Sequence, residues 1–293
     1  MCFSVLKKML SRDSSLESSP VDVISNHPEE EVVQTPEWAY IKPPLPIEDQ
    51  AEKDALKMPI SIEQKRVAKS LLSVFETGKP TGDYSAAVVL PDGAGISYGK
   101  HQATDKGGNL DGIVMRYIDL KGKYSGEFEK YFPALEANDS ASVDPNSLPE
   151  WTVSLLDLLK KAGTDPVMHR AQDQIFDEEY WQPCVAQCTQ MWLKEALSWA
   201  IVYDTCIHSG PGGVARIRRR FSEMPPSRGG DEKKWAKAYV NARRDWLANY
   251  KDEGHIVRRT VVRMDVFLDL IAKKNWSLNT PIQIGHPYRV VVN

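Results

Sequence analysis

Between Ser61 and Gln102 the chain changes its period from helix to strand, and that change limits what the rest of it can become. Val67, Leu71, Val74 and Phe75 recur at helical spacing, and Ser61 with Gln64 forms a capping box that starts the helix. Glu76 falls at the helix end, just before Gly78, Pro80 and Gly82 interrupt it. Tyr84 to Leu90 then reads as a strand, Pro91-Asp92-Gly93-Ala94-Gly95 as a turn, and Ile96 to Gly99 as the returning strand. One carboxylate at a helix end, Glu76, and another at a hairpin tip, Asp92, are placed to face each other across a groove.

Two carboxylates on opposite walls suit the cleavage of a glycosidic bond. A carboxylic acid of raised pKa protonates the leaving oxygen, while an ionised carboxylate stabilises the sugar ring or activates a water. Glu76 follows the apolar run Leu71 to Phe75, so desolvation favours its protonated form. Asp92 sits among glycines in a wet turn, where it stays ionised. Against this stands an ordinary reading: Asp-Gly is a common turn pair, and a glutamate at a helix end is usually a solvated charge.

Glu76-Thr-Gly, followed sixteen residues after the glutamate by Asp92-Gly-Ala-Gly-Ile-Ser-Tyr-Gly99, resembles the Glu … Asp-Gly-Arg-Gly-Tyr-Thr signature of family 46 chitosanases. Ala94 stands where that signature has arginine, and Ser97 where it has threonine. Val202 to Gly210, with Asp204, is similar to the family's helix bearing a buried aspartate. Arg258 to Phe267 and Asn275 to Pro281 resemble its closing helix and tail. The resemblance implies an α+β, mostly helical protein of the lysozyme superfamily, with a small β-hairpin lobe beside a large helical lobe. It implies Glu76 as general acid, Asp92 as general base and Ser97 holding the attacking water, with inversion at the anomeric centre. It also implies an arginine that orients the glutamate, for which Arg259 is the best match and Arg263 the alternative. Burying Asp204 in an apolar helix demands a cationic partner in any case, such as Arg259. His101 and Gln102, close behind the hairpin, and Tyr98 within it are candidate substrate-binding residues, with a structural role open for each.

Charge bears on the substrate. The net charge of −3 is unevenly placed: residues 1–59 hold 6 basic and 11 acidic side chains, leaving 31 and 29 in residues 60–293. An enzyme for polycationic chitosan is expected to carry an acidic groove. A near-neutral catalytic domain favours peptidoglycan, and so a muramidase that lyses bacterial walls, with chitosan the close second. The rival from another class is a catalytically inactive glycan-binding protein that keeps the fold. The Arg216, Arg218, Arg219 and Arg220 cluster reads as a solvated face, and no nucleic-acid motif accompanies it.

Residues 1–59 read as a tail or linker with a Pro-rich arm from Thr35 to Ile47, suited to packing along the domain or to docking a delivery partner. Residues 60–293 form the hydrolase domain. Four cysteines are few for a disulfide framework. Cys184, Cys188, Cys206 and His208 can be drawn as a metal site, but buried free thiols are the favoured reading, and no metal or cofactor is expected. No stretch is long and apolar enough to span a bilayer, and residues 1–10 do not read as a signal peptide. The sequence therefore predicts cytoplasmic synthesis and release by lysis or a secretion machine, with a delivery partner or an immunity protein as the expected associate. Tyr180 and Trp181 are candidates for stacking on sugars, Trp192 to His208 for the central helix, and residues 282–292 for an extended tail.

Overall fold

The computed structural model describes residues 59–89, 91, 93–107, 109–251 and 255–293. The proposed tail and Pro-rich arm, Cys2 and Asp92 lie outside the described residues. The first helix, α1 (Ile62–Thr77), starts on the expected capping box: Gln64 N donates to Ser61 Oγ at 3.1 Å and Ser61 N to Gln64 Oε1 at 2.8 Å. It stops at Gly78, whose φ of 72° lets its N–H reach Val74 O at 2.8 Å.

Two hydrophobic cores lie side by side. The smaller is built on a three-stranded antiparallel sheet of β1 (Ala87–Val89), β2 (Ile96–Tyr98) and β3 (Ala103–Thr104), in that order. Ala87 pairs with Tyr98, Val89 with Ile96, and Ser97 with Thr104. Against this sheet pack α2 (Asn109–Asp119), α3 (Glu150–Ala162) and α4 (Pro166–Phe176), through residues such as Ile113, Leu159 and Ala171. A single turn of π-helix (Asp177–Trp181) then carries the chain into the larger lobe as α5 (Gln182–Gln190). Phe176 belongs to the small core and Trp181 to the large one, so the change of helical pitch falls where the chain crosses between lobes.

The large core surrounds α6 (Ala196–Ser209), buried at every residue from Ala196 to His208, as befits a helix apolar all round. Around it stand α1, α5, α7 (Gly213–Arg218), α8 (Glu232–Ala248), and α9 (Val262–Ala272), which follows a 3-10 turn (Ile256–Val261). The run expected to be helical from Trp192 begins four residues later, because Trp192 takes a left-handed φ of 58° and is exposed. The expected extended tail is an antiparallel hairpin of β4 (Ile282–Ile284) and β5 (Val290–Val292), with Ile282, Ile284 and Val292 buried in the large core. Cys184, Cys188 and Cys206 are buried free thiols, and the described residues contain no group of side chains able to hold a metal ion. No helix among the described residues is long and apolar enough to cross a membrane.

The turn after β2 is fixed by Gln172 of α4. Its Nε2 donates to Tyr84 O at 2.9 Å and its Oε1 accepts from Lys100 N at 3.0 Å. Gly99 lies against this amide with φ +76°, and a Cβ there would come within 2.2 Å of Gln172 Oε1. Gly99→Ala is therefore expected to lower stability by roughly 2 kcal/mol, about 4–8 °C in Tm for a domain of this size. Gly212→Ala, at φ −65° with open space around it, should be near neutral. Calorimetry on both variants checks the pair; equal melting temperatures would mean that the turn is not held this way.

Candidate active site

The lobes meet at a cavity of about 220 Å³. Glu76 of α1 forms one wall with Ile207 and His208 of α6 and Gly210. The other is made by residues 101–104, Gly107, Asn109, Phe176 and Tyr180. Glu76 reaches this position because α1 ends one residue beyond it, with Phe75 of the same turn packed into the large core.

Glu76 is 4 % exposed and is held from behind. Arg263 Nη2 donates to its Oε1, Arg263 Nη1 donates to Asp204 Oδ1 at 3.0 Å, and Arg243 Nη1 donates to Asp204 Oδ2. Thr205 Oγ1 accepts from Arg243 at 2.9 Å and from Tyr239 OH at 3.0 Å. Two guanidiniums and two carboxylates thus alternate in the protein interior, the arrangement that offsets the cost of desolvating them. Glu76 Oε2 has no hydrogen-bond partner among the described residues. Burial pushes the Glu76 carboxyl above its ordinary 4.5, and Arg263 opposes that rise.

The arginine on Glu76 is Arg263, not Arg259, which is exposed. The reason is local geometry. Residues 256–261 wind as a 3-10 turn before α9 begins, and the buried stripe runs Thr260, Arg263, Met264, Phe267 and Leu270. Arg259 falls off that stripe. Arg243 was missed, although it sits in the apolar stripe of α8 with Trp235, Ala236, Tyr239, Val240 and Leu247. A cation at a core-facing helical position was the available signal.

His101 and Gln102 line the cavity, but Tyr98 does not. Tyr98 faces the small core, fully buried, and its hydroxyl donates to Leu159 O at 2.9 Å. The strand's alternation sends Tyr98 one way and Ser97 the other. Ser97 is buried on β2 opposite Thr104; Thr104 lines the cavity and Ser97 does not. Asp92 itself is outside the described residues, but the arm that follows it is anchored. Ser140 N and Oγ donate to Asp105 at 3.1 and 2.5 Å, Ser140 Oγ accepts from Ile96 N at 2.9 Å, and Lys106 N donates to Ala94 O at 3.2 Å. Trp181 is core, whereas half-buried Tyr180 lines the cavity and accepts from Asn109 Nδ2 at 2.7 Å.

Both cavity histidines are held neutral. Burial, then Lys100 and Lys69, press the His101 pKa well below 6.5, and burial, then Arg263 and Arg243, do the same to His208. Groups whose folded pKa is depressed below the unfolded value of 6.5 take up protons preferentially in the unfolded chain when they are bases. Their stabilising effect is thus complete above 6.5 and is lost as pH falls. Each histidine should cost up to about 1.4 kcal/mol per pH unit below that point. Urea titrations across this range should show a shallower slope in His101→Asn; an unchanged slope would remove His101 from the account. Arg263→Met should cost about 3–5 kcal/mol by leaving Asp204 and Glu76 underpaired, while Arg259→Met stays within about 0.5 kcal/mol. Similar costs for the two would contradict the pairing.

Comparison with known proteins agrees with this geometry. The profile of Glycosyl hydrolase family 46 matches residues 70–282. A Bacillus subtilis chitosanase is 31% identical over 231 residues, covering 76% of this chain and 82% of its own. A Streptomyces chitosanase is 28% identical over 241 residues, covering 77% and 81%. The structure of a native Bacillus subtilis chitosanase superposes with a TM-score of 0.68 at 28% identity, over 80% of this chain and 100% of that one. A Gynuella sunshinyii chitosanase complexed with chitotetraose gives 0.68 at 26% identity, over 80% and 98%. With its mostly helical α+β fold, two lobes and buried cleft glutamate, the chain belongs to glycosyl hydrolase family 46 and is a glycoside hydrolase.

Proposed function

We propose that the protein hydrolyses β-1,4 bonds in chitosan, with inversion, using Glu76 as general acid, Asp92 as general base and Ser97 to hold the attacking water. The observation that carries the reading is the divided environment of Glu76. One carboxyl oxygen is engaged by Arg263, and the other, Oε2, is without a partner among the described residues, on a residue that lines the cavity. Arg263 can only donate, so a proton on Glu76 belongs on Oε2, where a leaving oxygen can receive it. Burial favours the protonated acid before the bond breaks, and Arg263 then stabilises the carboxylate left behind. Asp92 enters on the family signature alone, as does the role of Ser97.

The relatives favour chitosan over peptidoglycan, the substrate that the charge balance favoured. Relatives 31% and 28% identical are chitosanases, and a mutant Bacillus subtilis chitosanase of this fold is complexed with 6 GlcN. No relative among these supports a muramidase.

Glu76→Gln keeps an acceptor for Arg263 but cannot deliver a proton, so reducing-end release from chitosan should fall at least ~10²-fold at unchanged Tm. Proton NMR of the first products should show the α-anomer, as direct displacement by water requires. Activity retained in Glu76→Gln, or initial β-anomer, would refute the mechanism. Binding of chitosan by a wild-type protein that cuts neither chitosan nor bacterial sacculi would establish the inactive glycan-binding alternative instead.

A further inference from the structure

Asp105 is a carboxyl group that the fold buries without a cation. It is 1 % exposed and follows directly on β3. Among the described residues no lysine, arginine or histidine forms an ion pair with it. Its Oδ1 has no hydrogen-bond partner among those residues either. Burial pushes the carboxyl above its ordinary 3.8, against the two bonds it accepts from Ser140. A carboxyl in such surroundings destabilises a fold, and an apolar residue would fill the space with less penalty. What Asp105 does instead is hold one residue of the backbone.

That residue is Ile96, the first of β2. Asp105 N donates to Ile96 O at 3.1 Å. Ile96 N donates to Ser140 Oγ at 2.9 Å, and Ser140 Oγ and N donate to Asp105 Oδ2 at 2.5 and 3.1 Å. Both backbone groups of Ile96 are thus bound in one ring of hydrogen bonds through Asp105 and Ser140. Ser140 lies in a 3-10 turn (Asp139–Ser142) entered through left-handed Asn138, so the ring ties β2 to a segment 44 residues farther along. Gly95 makes the approach possible. Its φ is +76°, and a Cβ there would come within 2.4 Å of Ser140 Oγ and 2.9 Å of Ala141 N. Lys106 N donates to Ala94 O at 3.2 Å and extends the hold toward Asp92. In the ladder the next pair is Ser97 with Thr104; Thr104 lines the cavity, whereas Asp105 and Ser140 do not. A slip of one residue here would turn Thr104 away from the cavity.

We propose that Asp105 is a positioning residue for the base side of the reaction: with Ser140 it binds both backbone groups of Ile96 and so sets the arm that carries Asp92, four residues earlier in the chain. This deepens the hydrolase reading and rests on it. The base of an inverting enzyme must hold its water on the far face of the sugar, and a misplacement of about 1 Å can lower the rate ~10²-fold.

Steady-state kinetics of the full chain on chitosan, well below the melting temperature, test this with Asp105→Asn and Ser140→Ala. The first turns one carboxyl oxygen into a donor, and the second removes the hydroxyl that links Asp105 to Ile96 N. Either variant should lower kcat about tenfold or more while KM moves less than about twofold. Placed in an Asp92→Asn background, the same changes should lower the residual rate less than about twofold, because the group they position no longer acts as a base. A purely structural role gives a lower Tm with kcat retained, or the same fold loss with and without Asp92. Either result overturns the assignment while the hydrolase reading stands. Should Asp105→Asn fail to fold, Ser140→Ala carries both measurements. If Asp92→Asn itself keeps the wild-type rate, the base reading falls and the positioning role falls with it.

Discussion

Arg263 is the link on which the site depends. It is buried, it donates to Glu76 on one side and Asp204 on the other, and it joins α9 to both α1 and α6. Such a cation is tolerated in the interior because the Asp204 carboxylate meets it on one side and the Glu76 carboxyl accepts from it on the other. Asp204 in turn is tolerated because Arg243 reaches it from α8. The four side chains therefore specify one another, and the three-dimensional arrangement of four helices fixes the direction of a single carboxyl group. What the arrangement sacrifices in desolvation it returns as a rigid acid at the edge of a cleft.

The cleft follows from the two-core architecture. Each lobe has its own apolar interior, and the helical segment through residues 166–190 crosses between them with a π-turn at the junction. Glu76 comes from the large lobe, while Thr104, His101 and Asn109 come from the small one. The hairpin arm after Asp92 is tied down by Asp105 and Ser140, a buried polar pair in the small lobe. Both walls are thus set by packing beneath the cleft.

Much of this was legible in the chain. The capping box at Ser61, the apolar period of α1 and the glycines after it place Glu76 at a helix end, and Asp204 inside an apolar helix demands a cation. The identity of that cation was not legible, because the choice between Arg259 and Arg263 depends on where a 3-10 turn hands over to α9. Tyr98 was misassigned because aromatic and polar residues alternate there, and only the packing reveals which face is the core. Strand β3 has two residues and β4 and β5 three each, too few for a period to register. Trp192 sits in a run that reads as helix, and nothing local announces its left-handed backbone. The near-neutral charge balance pointed to a neutral glycan. That argument led to peptidoglycan, whereas the relatives are chitosanases, because a charge balance averaged over a whole domain does not report the lining of one cleft.

The central claim is that Glu76 is a buried acid on the cleft wall, its Oε2 without a hydrogen-bond partner among the described residues, and not one half of a permanent ion pair. A carbon-13 NMR titration of the Glu76 side-chain carboxyl in the unliganded protein tests this most directly. The account predicts a midpoint clearly above the ordinary 4.5, driven by burial against the pull of Arg263. A midpoint at or below 4.5, with the carboxyl ionised throughout the working range, would make Glu76 a structural counter-ion and leave the cleft without its proton donor.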